Sequence, residues 1–352
     1  MAWGMNPRVE AYLAVAQMNT EGDLRAARVS ARHRGVAEVV DPENSQTTTI
    51  NLARPHRATH EDAWPPVVGD WVAIEREEIV AILPRATYLE RGSVQAASTM
   101  QPMAANVDLI LLVDGLYPTP SQGWAERIAA LGAESGIPVW AVLTKEDLVT
   151  PDEAARAAAR IAPLVDRLFT VVATDHATLT DLMGSLSPDQ TIALIGHSGV
   201  GKSTLTNALT GTQLATGEVR SADGKGRHTT TTRQLVAGEH ALILDTPGLR
   251  QLASTATLDS LDEVFPRLAE LAASCRFADC SHSGEPGCAV AQALDEGLID
   301  TDELTRYRRM RAESQRHAHR SNARLKRANE RKQSKENTRG RRGAMALKGR
   351  TN

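Results

Sequence analysis

The chain has 352 residues, 41% of them hydrophobic and 24% charged, which is the make-up of a folded globular protein and excludes a disordered or collagenous one. Aromatic residues make up only 3%, leaving the cores to Leu, Val, Ile and Ala, and no apolar run reaches the roughly 18 residues that cross a bilayer. The net charge of −3 conceals an asymmetry: residues 306–352 carry 17 Lys and Arg against 3 Glu, which leaves −17 for the rest and predicts a polyanionic partner, nucleic acid first, for the tail.

From Ala27 to Pro84 the signals are short and strand-like: Arg28–Ala31, Val36–Val40, Thr47–Leu52, Asp70–Glu75 and Ile79–Leu83. Five short strands with no helical period predict a small β-barrel. An OB-fold is the frequent example, and an SH3-like barrel or an open meander also fits the spacing. Arg91–Met103 reads as a linker. Val107–Val113 is then a buried strand, Ser121 caps a helix that Gly136 ends, and Pro138–Leu143 is the next strand, which together make a βαβ unit. Pro151 opens an Ala-rich helix, and Leu168–Val172 and Thr191–Ile195 are further strands, so this part is an α/β domain with a mainly parallel sheet. Beyond Thr257 the chain reads as helical around a cysteine cluster and ends in the basic segment, where Gly340, Gly343 and Gly349 predict disorder. The start of the chain has no compact apolar segment of the kind a secretory signal needs, so a cytoplasmic protein is expected.

The chemistry concentrates in four places. Gly196-His197-Ser198-Gly199-Val200-Gly201-Lys202-Ser203, with Thr204 next to it as a further nucleotide-binding residue, fits Gly-x4-Gly-Lys-Ser between the apolar strand Ile192–Ile195 and a helix containing Leu205 and Leu209. Such glycines let backbone N–H groups curl around phosphate oxygens; Lys202 reaches the β and γ phosphates and Ser203 ligates Mg²⁺. Some forty residues on, the strand Ala241–Leu244 runs into Asp245-Thr246-Pro247-Gly248, where Asp245 would hold Mg²⁺ through water and the Gly248 N–H would meet the γ-phosphate. The Gly- and hydroxyl-rich stretch Gly224–Arg233 lies between, and one of its threonines, assigned as Thr230, would close onto Mg²⁺ and the γ-phosphate. Upstream, Thr144-Lys145-Glu146-Asp147 follows a strand and is similar to the Asn-Lys-x-Asp guanine loop: Asp147 would accept from the guanine N1–H and amine, and the stem of Lys145 would cover the base. Thr144 stands in place of Asn and lacks the amide that ties loops together. Finally, Cys275, Cys280, His282 and Cys288, all three cysteines of the chain with one histidine, make the donor set of a closed, structural tetrahedral zinc site.

The order of these motifs is that of a circular permutation, since the guanine loop precedes the phosphate loop. The chain resembles the ribosome small-subunit-dependent GTPase A family, on these motifs and on Val68-Gly69-Asp70-Trp71-Val72, Pro84-Arg85, Ala105-Asn106-Val107-Asp108, Gly226–Thr231 and the Cys/Cys/His/Cys spacing. The resemblance implies an N-terminal OB-fold (1–92), a permuted P-loop GTPase domain (93–254) and a helical zinc domain (255–310), followed here by a basic, RNA-contacting tail (311–352). It implies rRNA binding and GTP hydrolysis late in assembly of the small ribosomal subunit, with hydrolysis stimulated by that subunit and coupled to release. The chain is expected to act as a monomer. Where many GTPases place a catalytic Gln after the Asp-x-Pro-Gly turn, Leu249 stands; the resemblance makes His228 the group that positions the attacking water. Two competing classes are an ATP-using P-loop enzyme, disfavoured by Thr144–Asp147, and an RNA-binding protein that keeps GTP as a structural ligand.

Overall fold

The computed structural model describes residues 3–33, 35–52, 65–91, 101–211, 233–245 and 258–316. His228, Thr230, Gly248, Leu249 and most of the basic tail lie outside the described residues, as does the side chain of Asp245. The chain divides into two compact units, one drawn from Met1–Glu90 and Pro102–Pro266, the other from Arg91–Gln101 and Arg267–Asn352.

The first unit opens with a helix that the strand-like pattern does not announce, α1 (Pro7–Met18). Asn6 caps it by accepting from the N–H groups of Arg8 and Val9, and Pro7 supplies a preset φ in the first turn. Val9 and its neighbours pack on Leu24, Trp71 and Leu83. The five expected strands follow: β1 (Arg25–His33), β2 (Val36–Val40), β3 (Thr47–Asn51), β4 (Trp71–Glu75) and β5 (Glu78–Ile82). They order as β3-β2-β1-β4-β5, all antiparallel. β1 is long enough to serve two neighbours because a bulge between Val29 and Ala31 bends it, so Arg25–Arg28 pairs with β4 and Arg28–His33 with β2. Ala27, Val29, Val39, Ile50, Val72 and Ile79 fill the interior between them. Within the stretch expected to be a linker, the chain forms β7 (Gln101–Ala105), which pairs with β6 (Tyr88–Arg91). Buried Leu89, Met103 and Ala104 give these short strands a reason to pair.

The α/β part runs β8 (Leu109–Gly115), α2 (Gln122–Ser135), β9 (Val139–Thr144), α3 (Pro151–Ile161), β10 (Arg167–Thr170), α4 (His176–Gly184), β11 (Thr191–Ile195), α5 (Lys202–Thr210), β12 (Arg233–Ala237) and β13 (Leu242–Asp245). The helices start and stop where local chemistry says: Ser121 caps α2 and Gly136 ends it in the left-handed region, Thr150 and Glu153 close a capping box on α3, and Asp175 caps α4. The strands order as β10-β9-β8-β11-β13-β12, parallel throughout except for the β12–β13 pair. β8 sits in the middle with Leu109–Val113 all buried, the continuous apolar run that a strand covered on both faces requires.

The two sheets are one. β12 pairs antiparallel with β1, Ala31 opposite Gln234 and Arg32 opposite Arg233, making a single eleven-stranded sheet. A second tie lies at the opposite end of the parallel strands, where the guanidinium of fully buried Arg28 donates to the carbonyls of Trp3 and Asn106 and to the Thr191 hydroxyl at 2.8 Å, and stacks 5.3 Å over Trp71. Burial lowers its pKa to about 10, against the pull of Asp108 and Asp70. Asp70 is itself buried, held bidentately by Arg85 at 2.7 and 2.8 Å, and Asn106 bridges the N–H of Ala86 and the carbonyl of Gly69. The Gly-Asp-Trp, Pro-Arg and Asn-Val-Asp signatures therefore form one buried polar bracket. α6 (Leu258–Val264) closes the unit against α2.

The second unit contains most of α7 (Pro266–Ala273), the cysteine-bearing loop, α8 (Ala289–Asp295) and a helix over residues 301–316. Leu268, Val290, Ala293, Ile299, Leu304, Tyr307 and Met310 are among the buried apolar residues described in it. No described helix is long and apolar enough to cross a membrane.

Candidate functional site

The phosphate loop leaves the C-terminal end of β11. Gly196 passes so close to β8 that a side chain there would collide with the Val113 carbonyl, and Gly199 and Gly201 take φ of +79° and +89°, which only glycine adopts freely. α5 begins at Lys202 with no side-chain cap on Gly201, and a helix N-terminus of this kind favours an anion. His197, Ser198, Gly199 and Ser203 are exposed, Thr204 is half-buried and Val200 is buried. The Lys202 ammonium donates to the His197 carbonyl, folded back over its own loop. The His197 ring packs 4.5 Å from the indole of Trp124 in the first turn of α2, a support that spacing in the sequence does not reveal.

The base loop leaves β9, two strands away. Thr144 is buried, and its hydroxyl donates to the Val200 carbonyl at 2.6 Å, with the Asp114 carbonyl at 3.2 Å. The tie expected to be lost with the missing Asn amide is thus present: a shorter side chain reaches because the strand register brings β9 against β8 and the phosphate loop close above it. Lys145 adopts φ +62°, starting a single 3-10 turn over Glu146–Leu148, and its ammonium donates to the Tyr117 carbonyl at 3.2 Å. Asp147 is exposed beside it. Val172-Ala173-Thr174, after β10, is fixed next to this loop: the Val171 carbonyl accepts from the Glu146 N–H, and the Thr178 hydroxyl bonds both backbone groups of Val172.

In the second unit the ligand atoms of Cys275, Cys280, His282 and Cys288 all lie within 4.8 Å of one another. The Cys275 and Cys288 sulfurs are 3.9 Å apart, and His282 Nδ1 is 3.5 and 3.7 Å from them. A tetrahedral ion with metal–sulfur bonds of about 2.3 Å sets its donors about 3.5–3.8 Å apart, so the donors fit a closed metal site. Burial first, then the nearby Arg311 guanidinium, lowers the His282 pKa, the direction that favours the uncharged imidazole a ligand requires. The Glu285 carboxylate braces the loop by accepting from Ser281 and Ser283, and these bonds, the Ser281 hydroxyl first, hold its pKa at about 2.

A phosphate loop and a base loop joined across a parallel sheet, with the base loop earlier in the chain, define a circularly permuted P-loop GTPase. Two solved structures share the fold: YjeQ from Thermotoga maritima (TM-score 0.59, 23% identity, 83% of this chain and 99% of that one) and YloQ, described as a circularly permuted GTPase (TM-score 0.54, 24% identity, 83% and 96%). Residues 82–255 match the RsgA GTPase family; residues 179–340 also match the ABC transporter family, over a stretch that includes the phosphate loop. The small ribosomal subunit biogenesis GTPase RsgA of Xanthomonas oryzae pv. oryzae (strain MAFF 311018) is 38% identical over 317 residues, covering 88% of this chain and 86% of that protein, and that of Xylella fastidiosa (strain M23) is 37% identical over 316, covering 88% and 94%. The chain belongs to the RsgA GTPase family.

Proposed function

We propose that this GTPase acts late in assembly of the small ribosomal subunit, binding the subunit and its rRNA and leaving when the subunit stimulates hydrolysis of GTP. The observation that carries the nucleotide part is the Thr144 hydroxyl on the Val200 carbonyl, which makes the base loop and the phosphate loop one site. The relatives, whose names state small ribosomal subunit biogenesis, support the rest.

In this reading Lys145, Asp147 and Thr144 select guanine, Gly196–Thr204 cradle the phosphates, and the Gly248 N–H meets the γ-phosphate. Lys202 swings from the His197 carbonyl to the β and γ oxygens. Ser203, exposed in the first turn of α5, would hold Mg²⁺ with Thr230 and Asp245, and the ion when bound would supply positive charge against the phosphate oxygens. His228 positions the attacking water, since Leu249 has no group to do so. Cys275, Cys280, His282 and Cys288 would hold one structural Zn²⁺, with no position left open. The strand order β3-β2-β1-β4-β5, with β3 brought near β5, supports an OB-fold for residues 1–92, ahead of a GTPase domain over 93–254, a zinc domain over 255–310 and an RNA-contacting tail over 311–352. The protein works in the cytoplasm as a monomer.

The test is phosphate release from GTP and from ATP, with and without purified small subunits, for wild type and Lys202→Ala. Wild type should prefer GTP, turn over slowly alone and accelerate on the subunit, and Lys202→Ala should lose turnover in every condition. Equal use of ATP, or no stimulation by the subunit, overturns the proposal.

A further inference from the structure

We propose that Tyr117 is a nucleoside-contacting residue, its ring packing against the ribose and base of bound GTP or GDP. The inference rests on the guanine-nucleotide reading above and extends it to a segment that no motif marks.

The strand order fixes the ligand's path. With phosphates on the loop after β11 and a base on the loop after β9, the nucleoside must cross the C-terminal end of β8, which pairs with both neighbours, Leu112 opposite Ile195 and Gly115 opposite Thr144. The chain leaving β8 is the segment from Leu116 to Ser121. Three bonds hold it there: the Leu116 N–H donates to the Thr144 carbonyl at 2.8 Å, the Lys145 ammonium to the Tyr117 carbonyl at 3.2 Å, and the Ser121 N–H to the Asp114 carboxylate at 3.2 Å. Lys145, whose stem would cover the base, is therefore aimed along this segment.

The backbone of Tyr117 is held, yet its side chain is 61% exposed. Leu148, three residues beyond Lys145, is 55% exposed. Large apolar side chains left open on the two segments that Lys145 joins mark a surface that gains from being covered. The flat, half-apolar face of a nucleoside suits it, since every base has a π-face on which an aromatic ring can stack.

The test uses the full chain, with equilibrium binding of GDP, GTP and inorganic pyrophosphate to wild type, Tyr117→Ala and Tyr117→Phe. Tyr117→Ala should weaken GDP and GTP alike, by about tenfold, the loss of roughly 1.4 kcal/mol. Pyrophosphate, which reaches only the phosphate loop, should bind as to wild type, and Tyr117→Phe should restore both nucleotides because the ring makes the contact. Undiminished GDP binding by Tyr117→Ala overturns the inference and leaves the GTPase reading standing. So does a parallel loss of pyrophosphate, which would place the effect on the phosphate loop, and a Phe variant as weak as Ala would remove the ring contact. A wild type that binds no GDP overturns the guanine-nucleotide reading itself.

Discussion

Thr144 and Asp70 show how single buried polar groups organise this molecule. Thr144 has one hydroxyl proton, and the 2.6 Å distance places it on the Val200 carbonyl, at the turn from which Gly201 and Lys202 follow. Thr144→Val keeps the volume and removes the donor, leaving a buried carbonyl unsatisfied at a cost of about 1–3 kcal/mol. GDP affinity measured by calorimetry should fall about tenfold in Thr144→Val and stay near wild type in Thr144→Ser, which keeps the hydroxyl. The second case is a charge. Asp70 is fully buried and its pKa is raised by burial, against the opposing effect of the Arg85 bonds. Arg85→Ala would strand that carboxylate, and breaking a buried pair from one side costs about 3–5 kcal/mol. Urea unfolding should show a loss of that size for Arg85→Ala and a smaller one for the paired change Arg85→Ala with Asp70→Ala.

At the scale of elements, the phosphate loop and the cysteine loop meet the same difficulty, a turn without regular backbone pairing, by different means. Between β11 and α5 the loop is fixed by glycine geometry, by Thr144 and by the Trp124–His197 contact. Between α7 and α8 the chain has three thiols, an imidazole and the Glu285 brace, with few buried apolar residues nearby. A small unit whose described residues bury so little core would depend on a metal held by these four donors. Cys280→Ser should lower bound zinc, read by atomic emission, from one equivalent toward none, and should lower the melting temperature of the C-terminal unit while GDP binding to the first unit persists. Unchanged zinc content in that variant would contradict the four-ligand assignment.

For the whole molecule, charge is distributed as segments rather than faces: residues 317–352 alone hold 12 Lys and Arg against 2 Glu. Binding of such a segment to rRNA releases counterions, so affinity for the subunit should fall steeply with salt. Deleting residues 317–352 should flatten the slope of log affinity against log salt by about 0.7 for each rRNA phosphate that the segment neutralises, measured by co-sedimentation, while GTP turnover without the subunit stays at its wild-type value. The sequence by itself determined the parts whose chemistry is local. Glycines at fixed spacing, a Lys and Ser at a helix start, an apolar run for β8 and four metal donors within fourteen residues are legible because each depends on neighbours a few positions away. Helix α1 was less legible, since only its cap and proline are local signals, and so was the β6–β7 pair, whose strands are too short to show a period. Only the tertiary structure decided that the N-terminal strand β1 continues the α/β sheet through β12, that Arg28 reaches Thr191 across 163 positions, that the Thr144 hydroxyl bonds the Val200 carbonyl, and that the Lys145 ammonium meets the Tyr117 carbonyl beside an exposed ring. Each of these depends on strand order and register, which arise from burying all the apolar strands together and leave no mark in any short stretch of chain.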